Sequence, residues 1–194
     1  MSTAPLPLSP ACPTPFPQLP TPSSLTTSRV LRSQPDIDVV VVCCGGGGLL
    51  AGIAAAIKLS GSSARVIGVE PTGAASMHMS CESGKAEWCP DGGHTDTIAH
   101  GLAPPFAGRA TFNHVKSFVD EVVLVTDEEM RVATRALFEA GVVAEVSGAA
   151  AVAAVLAGKC GDLAGKKVAC TVSGRNIDID EFGEALREGP MAHV

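Results

Sequence analysis

One segment organises the chain: VVVVCCGGGGLLAG, residues 39–52. The run of valines predicts a buried strand, and the alanine-rich pattern after the glycines predicts a helix. Four glycines between them let backbone N–H groups turn toward one point without Cβ clashes, and the first turn of a helix adds unpaired N–H donors. The alternative is a tight turn that binds nothing, for which one or two glycines would suffice. We therefore predict that residues 45–48 form a phosphate-binding loop.

Length and composition narrow the class of protein. A chain of 194 residues suits one domain with a tail. Hydrophobic residues make up 46% and aromatic residues only 4%, which predicts a core of valine, alanine, leucine and isoleucine. The net charge of -6, without a cluster of lysine and arginine, argues against a nucleic-acid partner. No apolar run reaches the ~18 residues that a bilayer crossing needs, so we predict no membrane partner either.

The seven cysteines are odd in number and show no C-x-x-C spacing. Cys43, Cys44 and Cys170 lie in apolar strand patterns, where a free cysteine acts as a small hydrophobe. Cys81 and Cys89 lie near two histidines, but their spacing does not match a structural zinc motif. Reduced thiols in an intracellular compartment are the simpler interpretation, and we predict a cytoplasmic protein.

Residues 1–32 form a segment of different composition. Eight of the fourteen prolines precede Ser23, and the segment is rich in serine and threonine without any acidic residue. This composition predicts a disordered tail. A transit peptide to an organelle is the alternative, although Arg29 and Arg32 are its only basic residues. We expect the ordered domain to span residues 33–194.

The ordered part predicts an α/β fold with an open, mostly parallel sheet and helices on both faces. It begins with a right-handed βαβ unit: strand 36–43, helix 49–59 and strand 64–69, which Glu70-Pro71 closes because proline cannot continue a central ladder. Residues 73–100 are expected to be irregular. The later elements are a helix at 110–118, a strand at 121–125, a helix that starts with the capping box of Thr126 and Glu129 and ends before Gly141, a buried helix at 147–156, a strand at 167–172 and a helix at 178–187.

A second turn, Ser173-Gly174-Arg175-Asn176, leaves the last strand as the glycines leave the first. Ligands of open α/β sheets lie at this carboxyl edge. Both turns can face one ligand, with the glycines on a phosphate and Ser173 on a ring atom. Ser173 could equally cap a helix or a turn. The chain contains no G-x-S-x-G, H-E-x-x-H or Walker sequence, and its glycines lack the spacing of G-x-G-x-x-G.

Six segments carry a resemblance to a family. They occur in this order: VVVVCCGGGGLLAG (39–52), VIGVEP (66–71), TIAHGL (97–102), VTDEEM (125–130), AEVSGAA (144–150) and VSGRNID (172–178). Together they resemble the serine/threonine dehydratase and serine racemase family of pyridoxal-phosphate (PLP) enzymes, which have the tryptophan-synthase-β-like fold of type II. The resemblance covers residues 33–187, and six ordered motifs make it specific.

The resemblance implies a cofactor site and a reaction. The N–H groups of Gly45, Gly46, Gly47, Gly48 and Leu49 would hold the phosphate of PLP. Ser173 would face the pyridine nitrogen, where an uncharged hydroxyl leaves the ring a mild electron sink. The family reaction is β-elimination of L-serine or L-threonine to an oxo acid and ammonia, or racemisation of serine, so the implied substrate is a small amino acid. Glu145 matches a residue that lines the family pocket.

Some members of the family also bind a divalent cation through oxygen ligands. Glu70 and Ala74 match the first two ligand positions, and Ser76 stands where the third ligand is an acid. The resemblance therefore implies a site for Mg²⁺ or Ca²⁺, with one carboxylate missing.

The departures from the family pattern lead to a sharper prediction. The Schiff-base lysine of the Ser-Phe-Lys type motif, the Asn-His-Gly-Gln type loop and the small domain have no counterpart, and none of the six lysines is placed to replace the first. Arg175 stands where the family has glycine. We predict part of a fold type II large domain, without a catalytic residue of its own and inactive alone. Two alternatives are a non-catalytic PLP-binding module that pairs with a full-length homologue, as a homo- or hetero-oligomer, and a dinucleotide-binding domain.

Overall fold

The computed structural model describes residues 36–187, apart from the side chains of Glu181 and Arg187. The predicted tail, residues 1–32, lies outside the described residues. So do residues 188–194 at the end of the predicted domain.

The centre of the fold is a parallel sheet in which the strand order is β3-β2-β1-β4. Its strands are β1 (Val39–Cys43), β2 (Arg65–Pro71), β3 (Glu121–Val125) and β4 (Val168–Cys170). β1 is an inner strand, paired with β2 from Val39↔Arg65 to Cys43↔Val69 and with β4 on its other side. The predicted parallel sheet is therefore confirmed, and β1 lies next to the last strand, as a shared site requires.

Besides a four-residue helical turn at Pro90–Gly93, six longer helices surround this sheet in the part of the chain that the structure describes. They are α1 (Gly48–Leu59), α2 (Ser76–Ser83), α3 (Arg109–Phe118), α4 (Asp127–Glu139), α5 (Val146–Leu156) and α6 (Ile179–Arg187). Two short 3₁₀ turns, Thr72–Ala74 and His100–Leu102, follow β2 and precede α3. No helix within residues 36–187 combines the length and the apolar content that a bilayer crossing needs.

The side chains of β1 alternate between two apolar clusters. Val39, Val41 and Cys43 pack with residues of α4, α5 and α6 on one face of the sheet. Val40 and Val42 pack with α1 and α3 on the other face. All five residues of β1 are buried, as a central parallel strand covered on both faces requires. The predicted layer of helices on each face is confirmed.

Local sequence signals are accurate around β3 and α4. β3 has the predicted bounds, and α4 begins with the predicted capping box: the N–H of Glu129 donates to Thr126 Oγ1 at 3.2 Å, and the N–H of Thr126 donates to Glu129 Oε2 at 2.8 Å. Gly141 follows the end of α4 with a φ of 79°, the left-handed conformation that favours glycine after a helix.

Two predictions for the middle of the chain are wrong. The segment 73–100, expected to be irregular, contains the two-turn helix α2. β2 also continues through Pro71, which pairs with Val125 as the last residue of the strand. Proline is tolerated there because a strand end loses little when one N–H is missing.

Candidate functional site

The strand order creates a crevice at the carboxyl edge of the sheet. The chain moves from β1 outward to β2 and β3, and then returns to the other side of β1 with β4. The helix after β1 packs on one face of the sheet, and the helix after β4 contributes Ala185 to the opposite cluster. Where successive connections diverge in this way, an open α/β sheet has its ligand crevice. The glycine loop and the Ser173 turn flank that crevice.

The glycine loop contacts protein on one side and is exposed on the other. Gly47 has a φ of +85°, and a Cβ on it would lie 2.4 Å from Met77 Cε, so this position requires glycine. Thr111 Oγ1 donates a hydrogen bond to the carbonyl of Gly46 at 2.7 Å and fixes the loop. Gly46 and Gly48 are exposed, and a Cβ on Gly48 would meet no heavy atom within 4 Å. Sequence reasoning missed Thr111, which is 65 residues from its partner.

The loop presents N–H groups for which residues 36–187 supply no acceptor. The first intrahelical bond of α1 runs from the N–H of Ala51 to the carbonyl of Gly47, at 2.8 Å. The preceding N–H groups, of Gly46, Gly48 and Leu49 among them, donate to no described residue, and Gly47 provides no side chain to cap the helix. Unpaired amides at a helix N-terminus favour an anion. The loop thus fits a phosphate group.

Ser173 lies beside the end of β1. Its Oγ is 2.9 Å from Cys43 Sγ, and either atom could be the donor. The hydroxyl does not cap a helix, because residues 171–178 have no regular secondary structure and α6 begins at Ile179. Ser173 is exposed, so its hydroxyl is accessible to a ligand. Sequence reasoning placed Cys43 in the core as a small hydrophobe and missed this contact. A polar atom at the last position of a strand was the available signal.

Residues of other family motifs contact one another along the crevice. The N–H of Gly101 donates to Ser147 Oγ at 3.0 Å, and the N–H of Glu145 donates to the carbonyl of Gly174 at 3.1 Å. A Cβ on Gly45 would lie 3.2 Å from the carbonyl oxygen of Gly101. Four of the six motifs, which are far apart in sequence, therefore meet around the tips of β1 and β4.

Glu70 is on the opposite face of the sheet and is fully buried. Its Oε1 accepts the N–H of Met77 at 2.9 Å, and its Oε2 accepts the N–H of His78 at 2.7 Å. Burial raises the pKa of the Glu70 carboxyl to about 7, and the two amide hydrogen bonds oppose that shift. Glu70 therefore caps α2 from the preceding strand.

The donor set near Glu70 is short of free oxygen ligands for a divalent cation. Both carboxylate oxygens already accept amide N–H groups. The remaining predicted ligands are the backbone of Ala74 and the hydroxyl of Ser76, both buried. Ser76 Oγ has no hydrogen-bond partner, but a neutral hydroxyl is a weak substitute for a carboxylate. Residues 36–187 contain no group of three acidic, histidine or cysteine side chains arranged for a metal. The metal assignment stays a prediction.

Replacing Glu70 by glutamine should flatten the pH dependence of stability. The pKa of Glu70 in the folded chain, about 7, lies above its ordinary value of 4.5. Its contribution is therefore fully present below pH 4.5 and is lost as pH rises through 7, by up to about 3 kcal/mol. Urea unfolding in buffer with EDTA, between pH 5 and pH 8, measures this slope. Glu128→Gln, at an exposed carboxylate, is the control. Equal slopes for Glu70→Gln and wild type would refute the assignment.

The contacts of the lysines bear on the predicted absence of a Schiff-base lysine. Four of them form ion pairs elsewhere: Lys58 with Asp120, Lys85 with Glu87, Lys159 with Glu129, and Lys167 with Asp36. Lys116 lines a separate cavity between α3 and β3, together with Cys81 and Asp120. The full sequence has no lysine before Lys58. That this chain lacks a Schiff-base lysine stays a prediction.

Fold and site together define an α/β protein with an anion-binding glycine loop and a hydroxyl at one sheet edge. The profile of the family described as "Pyridoxal-phosphate dependent enzyme" matches residues 26–174, so the chain belongs to the pyridoxal-phosphate dependent enzyme family. The dinucleotide-binding alternative does not predict the later motifs that this match includes, and it is wrong.

The relatives are about twice as long as this chain. The L-threonine ammonia-lyase of Geobacter sulfurreducens is 42% identical over 164 residues, which is 84% of this chain and 40% of the relative. Among solved structures, the processed threonine deaminase isoform 2 of Solanum lycopersicum matches 84% of this chain and 47% of its own, with a TM-score of 0.77 and 30% identity. Maize serine racemase matches 84% and 50%, with a TM-score of 0.76 and 31% identity. The chain thus spans about half of the fold of these enzymes.

Proposed function

We propose that this chain binds pyridoxal phosphate at the carboxyl edge of its sheet. The N–H groups of Gly45–Gly48 and Leu49 would hold the phosphate, and Ser173 would face the ring nitrogen. The observation that supports this proposal is the set of loop N–H groups without an acceptor among residues 36–187, next to a hydroxyl that the end of β1 holds in place. The family membership gives the ligand its identity.

The chemistry of the site follows from the residues that surround it. Pyridoxal phosphate, when bound, supplies an electron sink for bonds at the α-carbon of an amino acid. The loop N–H groups and the dipole of α1 would neutralise the charge of the phosphate. Because Ser173 carries no charge, it would not require the ring nitrogen to be protonated. Glu145, half-buried at the start of α5, would line the substrate side of the pocket.

We propose that the reaction of the family, β-elimination of L-serine or L-threonine or serine racemisation, needs residues that this chain does not contain. Both the L-threonine ammonia-lyase and the serine racemase contain a half that this chain does not match. Lysines 58, 85, 159 and 167 are ion-paired away from the glycine loop. The chain would therefore bind the cofactor without turning over an amino acid.

An activity assay tests the second proposal. The purified chain with added pyridoxal phosphate should release no oxo acid from L-serine or L-threonine. Borohydride reduction followed by peptide mapping should find no lysine that is modified in preference to the others. The L-threonine ammonia-lyase of Geobacter sulfurreducens serves as the positive control. Steady turnover by the isolated chain would contradict the proposal.

A second candidate function is association with a full-length homologue, because the chain spans only 40% of its curated relative and about half of the solved ones. In this case the chain would modulate the homologue as a non-catalytic subunit. Co-purification of the tagged chain with such a homologue, and a change in its turnover, would support this function; migration as separate species would exclude it.

We also propose a reducing compartment, the cytoplasm, since the six cysteines within residues 36–187 are free thiols.

A further inference from the structure

Cys43 makes a contact that apolar packing does not account for. It is the last residue of β1 and is 2% exposed. Its Sγ lies 2.9 Å from Ser173 Oγ and 3.9 Å from Thr171 Oγ1. The thiol therefore connects the end of β1, just before the glycine loop, to the residues that follow β4.

The backbone around Ser173 is fixed, but its side chain is not. The N–H of Glu145 donates to the carbonyl of Gly174, and a Cβ on Gly148 would lie 2.7 Å from that same carbonyl oxygen. None of these contacts involves the hydroxyl of Ser173, which is exposed and, as in any serine, has three staggered rotamers to choose from. Within residues 36–187, Cys43 is the hydrogen-bond partner that the structure gives this hydroxyl. The thiol thus selects one rotamer.

We propose that Cys43 is a positioning residue that holds the Ser173 hydroxyl toward the ring nitrogen of the cofactor. This inference rests on the proposed function, because it assumes that a pyridine ring occupies the crevice. A thiol can donate its proton to the serine oxygen while the serine proton is donated to the nitrogen lone pair. The thiol can also accept the serine proton, which leaves the serine lone pairs for a protonated ring nitrogen. In both cases the chain of hydrogen bonds stays uncharged.

Two substitutions separate positioning from packing. Cys43→Ser keeps a hydrogen-bonding group at the end of β1, and Cys43→Val keeps an apolar side chain of suitable volume without one. Cys43→Ala is a third variant, which removes both the hydrogen-bonding group and the side-chain volume. Cys170→Ala is the matched control, since Cys170 is a half-buried thiol in the neighbouring strand and lies outside the proposed site. Thermal unfolding of each variant shows that the fold is intact.

Two ligands make the test specific for the ring nitrogen. The first is pyridoxine 5′-phosphate, which has no aldehyde to react with surface lysines. The second is its analogue with a C–H group in place of the ring nitrogen. Calorimetric titration should show that Cys43→Val and Cys43→Ala bind the first ligand about fivefold more weakly, the effect of one modest hydrogen bond. The same variants should bind the second ligand as wild type does, and Cys43→Ser should stay within about twofold of wild type for both.

A double variant completes the experiment. Adding Cys43→Val to Ser173→Ala should weaken binding no further than Ser173→Ala alone, because the two residues act through one hydroxyl. Equal losses for both ligands, wild-type affinity in Cys43→Val and Cys43→Ala, or independent losses in the double variant would each overturn the positioning role. If wild type binds neither ligand, the proposed function fails and this inference fails with it.

Discussion

Replacing Gly48 by aspartate is expected to abolish cofactor binding without destabilising the fold. A Cβ at this position meets no heavy atom within 4 Å, and the residue opens α1, so the side chain fits. An acidic residue in the first turn favours the helix by about 0.5 kcal/mol. The same carboxylate would stand where the phosphate binds, and repulsion there should weaken pyridoxine 5′-phosphate binding at least about 100-fold. Calorimetry measures this loss.

Gly48→Asn is the matched control, because asparagine has the shape of aspartate without the charge. It should lose much less affinity than Gly48→Asp, and the difference should shrink at high salt. If the two variants bind equally, the loop does not recognise an anion. Thermal unfolding of both variants should occur at or above the temperature of wild type.

The largest effect on stability is expected for Gly73→Ala. Gly73 lies in the 3₁₀ turn after β2, where a Cβ would be 1.6 Å from the carbonyl oxygen of Asp96. The N–H of Asp96 also donates to the carbonyl of Gly73 at 3.0 Å, so the two backbone segments cannot separate without losing this bond. Overpacking against backbone should cost about 3 kcal/mol or more, which lowers the unfolding temperature by about 10 °C.

Gly48→Ala provides the comparison for Gly73→Ala. It makes the same chemical change at a glycine with open space around its Cβ. Its unfolding temperature should equal or exceed that of wild type, because alanine is the better helix former. Equal unfolding temperatures for Gly73→Ala and wild type would show that the close approach of Asp96 is not a constraint on the native fold.

The parts of this fold that can be predicted from the sequence are those that short-range patterns determine. The valine run of β1, the bounds of β3 and the capping box of Thr126 and Glu129 are signals within a few residues of each other. The glycine run also predicts an anion loop between a strand and a helix. Two turns at one sheet edge follow from parallel strands, and the strand order β3-β2-β1-β4 brings those turns together.

Contacts between distant residues explain what the sequence does not predict. The cap of α2 is the carboxylate of Glu70, which lies in β2 and not at the N-cap position, so the helix lacks the usual local signal. Cys43 and Ser173 are 130 residues apart, and an apolar pattern around Cys43 hides its hydrogen bond. A free cysteine can pack as a small hydrophobe or form a weak hydrogen bond through its thiol, so the residue type does not distinguish the two roles. Only the packing of β1 beside β4 distinguishes them.

The proposed function depends on binding of the phosphate of a vitamin B6 compound by the glycine loop. Titration of the wild-type chain with pyridoxine 5′-phosphate and with unphosphorylated pyridoxine measures this contribution. The loop N–H groups predict that the phosphate ester binds at least about 100-fold more tightly than the free alcohol. Equal affinities for the two compounds, or no binding of the phosphate ester, would show that the loop does not bind this phosphate.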